Sequence, residues 1–133
     1  MKQTRLQGAL KQMKTILYGT AQDEIDLCSL LSSLSGVNQP TENMIRAKEL
    51  DDFIFILAKE QFDLVLVTQD GAMGMEAVMT AQKLRLDTPR VWFSNDRDFA
   101  VQSYRLRCAY FAEKPITAEK LQKAMERCGR ERS

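Results

Sequence analysis

Four consecutive apolar residues, Leu64-Val65-Leu66-Val67, follow Asp63 without a polar interruption. A strand reads this way when both of its faces are covered, which is the situation of a central strand in a parallel sheet packed between helices. The rest of the chain alternates around that run. Thr15-Ile16-Leu17-Tyr18 is a β-prone segment ending at Gly19. From Asp23 onward Leu27, Leu30, Leu31 and Leu34 recur at helical spacing, with acids in the first turn and Gly36 as the stop. A weak strand is predicted around Met44 to Ala47. A helix opened by Asp51 or Asp52 follows, with Phe53, Ile54 and Leu57 on its apolar face.

After the central run, Gly71 and Gly74 punctuate a loop and a helix is predicted over Met75 to Leu84. Val91-Trp92-Phe93 supplies a fourth strand. Asn95 or Asp96 caps a helix reaching about Leu106, and Ala109 to Ala112 supplies a fifth strand. Pro115 breaks it. Thr117 caps the last helix, Ile116 and Leu121 form a hydrophobic staple, Met125 and Cys128 continue the apolar face, and Gly129 marks the end. Strands alternating with helices through short connections predict an α/β fold: a single doubly wound five-stranded parallel sheet of flavodoxin-like order 2-1-3-4-5, with helices on both faces.

Residues 1–12 are polar and basic and read as an N-terminal extension, 13–129 as the domain, and 130–133 as a basic C-terminal tail. With 133 residues and 44% hydrophobic content, one core is affordable without disulfides or a structural metal. A net charge of +1 gives no general attraction to nucleic acid or to a membrane surface. No apolar run approaches the roughly 20 residues that span a bilayer, so no membrane association and a cytoplasmic location are expected. Cys28, Cys108 and Cys128 are widely spaced and read as free thiols. The chain has no histidine, which excludes Ser-His-Asp and Cys-His catalysis, His-ligated metals and phosphohistidine chemistry by the chain itself.

In an open parallel sheet ligands bind beyond the carboxyl ends of the strands. Those ends are Gly19, Thr20 and Ala21 after the first strand, Thr68 after the third, Ser94 after the fourth and Lys114 after the fifth. From Phe93-Ser94-Asn95-Asp96-Arg97-Asp98-Phe99-Ala100-Val101 through Ala109-Tyr110-Phe111-Ala112-Glu113-Lys114-Pro115-Ile116, the chain resembles the receiver domains of response regulators, most closely the LytTR class. The resemblance spans roughly Met13 to Cys128 and is most specific in its C-terminal half.

The resemblance implies a role for each position. In such domains a carboxylate after the third strand accepts a phosphoryl group, an acidic pair after the first strand holds Mg²⁺, and a hydroxyl and a lysine contact the phosphate. An aromatic on the fifth strand changes rotamer. By position the retained residues are Ser94, Lys114 and Phe111. The acceptor position is Thr68, and the acidic-pair positions fall on Gly19, Thr20 and Ala21. Threonine cannot form an acyl phosphate, and neutral residues do not hold Mg²⁺. The expectation is a degenerate pseudo-receiver with no catalytic residue, no metal and no cofactor. Asp70 and Glu76, after the third strand, are acids that could partly substitute as acceptor, and both read as solvated loop carboxylates.

The expected function is therefore a non-enzymatic signalling module that binds a regulatory protein, or itself, through the surface of the fourth helix, fifth strand and fifth helix. That face would present Phe99, Tyr104, Arg105, Arg107, Lys120, Lys123 and Arg127, a mixture of aromatic and basic side chains suited to an interface. No DNA-binding domain follows the last helix, so no direct contact with nucleic acid is expected. A rival reading uses Ser94, Thr68, Thr20 and Lys114 as a sensor site for a small anion or nucleotide-type ligand. An enzyme on the same fold, such as a flavin or nucleotide protein, is disfavoured by the absence of a glycine-rich phosphate loop.

Overall fold

The computed structural model describes residues 13–35 and 43–132; the N-terminal extension and the Gly36 stop signal lie outside the described residues. Five strands, β1 (Thr15–Tyr18), β2 (Met44–Ala47), β3 (Leu64–Val67), β4 (Arg90–Ser94) and β5 (Tyr110–Glu113), form one sheet in the order β2-β1-β3-β4-β5. Every pairing is parallel, with β3 aligned on β1 from Thr15 opposite Leu64 to Tyr18 opposite Val67. The helices are α1 (Ala21–Ser35), α2 (Leu50–Lys59), α3 (Gly71–Leu84), α4 (Ala100–Arg105, entered through a 3₁₀ turn over Arg97–Phe99) and α5 (Ala118–Arg132). This is the α/β architecture and strand order predicted from the alternation of apolar runs.

The period-2 geometry of the strands divides their side chains between two cores. Ile16, Tyr18, Val65, Val67 and Trp92 pack with Phe53 and Leu57 of α2 and Ala77, Val78 and Ala81 of α3. Leu17, Leu64, Leu66, Val91 and Phe93 pack with Leu27 and Leu31 of α1 and Leu121, Ala124 and Met125 of α5. All four residues of β3 are buried, as a strand covered on both faces must be.

Several boundaries differ from the sequence expectation. Helix α1 begins at Ala21, because Thr20 caps it, and α2 begins at Leu50 with Glu49 in the cap position, leaving Asp51 and Asp52 in the first turn. Helix α3 begins at Gly71, which has φ +74°, four residues before the predicted start. Gly74 is not loop punctuation: the first turn of α3 passes so close to the Gln69 carbonyl that a Cβ there would overlap its oxygen. Strand β5 is shifted by one residue, to Tyr110–Glu113. Helix α5 runs through Gly129 to Arg132, so the segment 130–132 is helical rather than a tail; nothing lies within 4 Å of a Cβ at Gly129, and one exposed helical glycine costs only about 1 kcal/mol. The Thr117 cap is present, its Oγ1 accepting from Lys120 N at 3.2 Å. Asp96 caps the 3₁₀ turn, its Oδ1 accepting from Asp98 N at 2.9 Å.

At the end of the sheet opposite the crevice, two arginines tie the helix termini together. Arg85 Nε donates to Leu57 O at 3.0 Å and its Nη2 to Ala58 O and Glu60 O, satisfying the carbonyl end of α2. Arg90 is 3% exposed and donates to the carbonyls of Arg85, Leu86 and Thr88 after α3 and of Leu106 and Arg107 after α4.

Candidate crevice at the carboxyl ends of the strands

The crevice is built from the residues that follow β1, β3, β4 and β5. Thr20 and Asp23 cap α1 reciprocally: Thr20 Oγ1 accepts from Asp23 N at 3.0 Å, and Thr20 N points to Asp23 Oδ2 at 3.4 Å. This is the geometry of a capping box, with the acid three residues after the hydroxyl. It turns the Asp23 carboxylate inward. Thr68, fully buried, donates its hydroxyl to the same Oδ2 at 2.9 Å, and Lys114 Nζ stands 3.5 Å from it.

Lys114 is shared. Its Nζ also lies 3.3 Å from Asp70 Oδ1 and 3.4 Å from Oδ2. Asp70 precedes α3 but does not cap it, because its carboxylate reaches across to accept from Asn95 N at 3.0 Å. Ser94, fully buried, accepts from Asp96 N at 3.1 Å and steadies the turn that leads into α4. The Lys114–Pro115 peptide bond is cis. The crevice thus holds one ammonium between two carboxylates, with a hydroxyl donating to the first of them.

The four sequence-predicted positions that converge here are Thr20, Thr68, Ser94 and Lys114. Ala21 does not: it is exposed at the start of α1. Gly19 contributes space, since a Cβ on it would overlap Thr68 Oγ1. Glu76 is exposed on α3 and forms no part of the cluster. The residue that sequence reasoning missed is Asp23, read as a helix-dipole acid; the Thr20-Ala21-Gln22-Asp23 capping pattern was the signal that could have found it. Arg46 was missed as well: its Nη1 donates to Gly19 O at 3.0 Å and its Nε lies 3.7 Å from Glu24 Oε1, which ties β2 to α1.

A Mg²⁺ site does not fit this donor set. Two carboxylates remain, and both are already engaged by the Lys114 ammonium, which occupies the place a dication would take. Among the described residues no group of three or more His, Cys, Asp or Glu side chains is placed to hold a metal ion. Cys28 is half-buried, and burial together with Glu24 pushes its thiol pKa up, which suits an inert thiol.

Behind the crevice Trp92 links the retained aromatic to α4. Phe99 stacks on it at 5.1 Å and Phe111 meets it edge-on at 5.4 Å. Phe99 is therefore packing rather than surface. Tyr104 is 85% exposed, and Arg105 and Arg107 are exposed beside it, Arg107 with φ 55°. On α5, Lys120 is tethered to Glu113 O and Pro115 O, Lys123 pairs with Glu119 at 3.4 Å, and Arg127 lies over the Tyr110 ring. No helix among the described residues is long and apolar enough to cross a membrane.

No protein-family model matches the chain, and no match was found among curated proteins. Solved structures do match. A CheY-like response regulator receiver domain protein from Methanospirillum hungatei JF-1 is 18% identical, covers 91% of this chain and 98% of its own, and superposes with a TM-score of 0.70. The receiver domain of NtrX from Brucella abortus is 21% identical over 86% of this chain and 96% of its own, with a TM-score of 0.66. A structure described as adenylate cyclase from Rhodopirellula baltica is 14% identical over 88% of this chain and 87% of its own, with a TM-score of 0.67. At these identities the likeness concerns architecture, and the architecture of this chain is that of a response-regulator receiver domain.

Proposed function

We propose that the chain is an atypical receiver-like module of two-component signalling that does not take up a phosphoryl group and acts by binding protein through the α4–β5–α5 face. One observation carries this reading: Thr68, where the resemblance expects the acceptor carboxylate, is a fully buried threonine whose hydroxyl is already spent on Asp23. The carboxylate that accepts from it, Asp23, is engaged by the Lys114 ammonium rather than free to take the hydroxyl proton, the chain has no histidine to serve instead, and a threonine cannot form an acyl phosphate. The same network argues against the anion-sensor reading, since the cation an anion would seek is held by two carboxylates.

The module has no catalytic role in this reading, and its output surface stays in one state. Ser94 serves the turn into α4, Phe99 and Phe111 are locked on Trp92, and Arg90 grips the carbonyls that close α4. The face therefore binds constitutively. Amide NMR of the labelled protein tests this. Adding Mg²⁺ and beryllofluoride is expected to leave the Asn95, Tyr104 and Phe111 resonances in place. A saturable shift propagating from Asn95 to Tyr104 would overturn the reading.

A further inference from the structure

Charge is segregated laterally across the sheet although the chain as a whole carries only +1. The described residues between 20 and 63, which build α1, β2 and α2, hold eight acidic and three basic side chains. Residues 97–129, which build α4, β5 and most of α5, hold seven basic and four acidic ones. The sheet order puts β2 at one edge and β5 at the other, so β2 with α2 and β5 with α4 lie at opposite edges, while α1 and α5 pack side by side on one face between them. The Asp23–Lys114 pair lies within the crevice, and removing it from both sets leaves the asymmetry intact.

Each end also exposes large apolar side chains. Ile25, Ile45 and Phe55 are 60%, 36% and 59% exposed on α1, β2 and α2, and Val101 and Tyr104 are 58% and 85% exposed on α4. The acids among them are available: Asp51 and Asp52 are exposed in the first turn of α2 and Asp26 is exposed on α1. At the opposite end Arg105 and Arg107 are exposed with Tyr104, while Lys120 and Lys123 are partly engaged by their own helix surroundings. Apolar side chains among charges of predominantly one sign at each edge, although Lys59 stands over the Phe55 ring at the acidic one, with opposite net signs at the two edges, make complementary surfaces.

We propose that the partner of the basic α4–β5–α5 face is the acidic α1–β2–α2 edge of a second copy, giving head-to-tail self-association. This rests on the reading of that face as the binding surface and names its occupant. A symmetric dimer through either face sets two surfaces of the same net sign together, which is less favourable than opposite signs. The alternating arrangement sets surfaces of opposite net sign together at every contact. The near-zero net charge leaves no long-range repulsion between copies to oppose it. Such a contact is heterologous, so it extends into rings or open chains rather than stopping at a dimer.

The test uses two variants of the full chain: Asp51→Lys/Asp52→Lys, which reverses the acidic edge, and Arg105→Glu/Arg107→Glu, which reverses the basic one. Sedimentation velocity is measured at low and high salt. Wild type is expected to form species beyond the dimer at low salt and to dissociate at high salt, since exposed charges are screened over roughly 10 Å at 0.1 M. Each variant alone should be monomeric. An equimolar mixture of the two should reassemble into alternating species beyond the dimer, because the intact basic face meets the intact acidic edge and the two reversed surfaces, lysine against glutamate, are complementary as well. Circular dichroism confirms that both variants are folded; if the lysine pair unfolds α2, Asp51→Asn/Asp52→Asn replaces it, with self-association weakened about tenfold rather than abolished.

A wild type that stays monomeric at low salt would overturn the proposal. Self-association that survives in the acidic-edge variant and is lost in the basic-edge variant would overturn it too, while leaving the basic face as an interface of symmetric type. Two monomeric variants that fail to combine would show that the two edges do not recognise each other.

Discussion

Gly19 and Thr68 fit together only as a pair: a Cβ on Gly19 would overlap the Thr68 hydroxyl oxygen, which sits there because it donates to Asp23 at 2.9 Å. The glycine is demanded by contact across the β1–β3 junction, since its own φ lies outside the left-handed region. Gly19→Ala is expected to destabilise the fold by about 1–3 kcal/mol, the usual cost of overpacking a closed site. Thr68→Ala should relieve part of this, so the double variant loses about 1 kcal/mol less than the sum of the singles. Chemical denaturation of the four proteins measures the coupling, and strict additivity would mean that residue 19 is limited by something other than Thr68.

Lys114 holds two carboxylates that would otherwise face each other. Replacing it with methionine leaves Asp23 and Asp70 uncompensated in a half-buried crevice, an expected loss of about 1–2 kcal/mol given that the lysine side chain is 21% exposed. The freed acids should then recruit a hard cation in its place. Millimolar Ca²⁺ or Mg²⁺ is expected to raise the melting temperature of Lys114→Met and to leave that of the wild type unchanged. Equal responses in the two proteins would refute the idea that the ammonium already serves as the internal cation.

Arg90 gathers five carbonyls from two helix ends with its guanidinium. A lysine has three donors in a compact head and does not span that fork. Arg90→Lys is therefore expected to cost about 2–4 kcal/mol, because several buried carbonyls lose charge-assisted partners. Hydrogen exchange should show the loss first at Leu106 to Ala109, where α4 passes into β5. Unchanged protection in that segment would mean that the clamp does not hold α4.

Much of this architecture was legible before any coordinates. Leu64-Val65-Leu66-Val67 required cover on both faces, and the alternation of β-prone and helical segments through short connections argued for a doubly wound parallel sheet. The errors fell where a tertiary contact overrode a local signal. Gly71 and Gly74 read as a loop because close passage over the Gln69 carbonyl is invisible in sequence, and Gly129 read as a stop because nothing local says whether a glycine sits in open solvent. At the crevice, Thr68, Ser94 and Lys114 could be placed by counting from strand ends. Asp23 could not, because its carboxylate arrives from within a helix and is aimed by the Thr20 cap. The twofold hold on Lys114 is a property of the first turn of α1 meeting the loops after β3 and β5, with residues 23, 70 and 114 far apart in the chain.

The crevice is expected not to accept a phosphoryl group. Intact-mass measurement after incubation with acetyl phosphate and Mg²⁺ addresses this directly, with a phosphorylatable receiver domain treated in parallel as the positive control. The expected spectrum is that of the unmodified chain, since Thr68 is a buried neutral hydroxyl and Lys114 is occupied by Asp23 and Asp70. A stoichiometric phosphoryl adduct that hydroxylamine removes, and that maps to Asp70 or Glu76, would contradict the account and show that an acid of the β3–α3 region has taken over as acceptor.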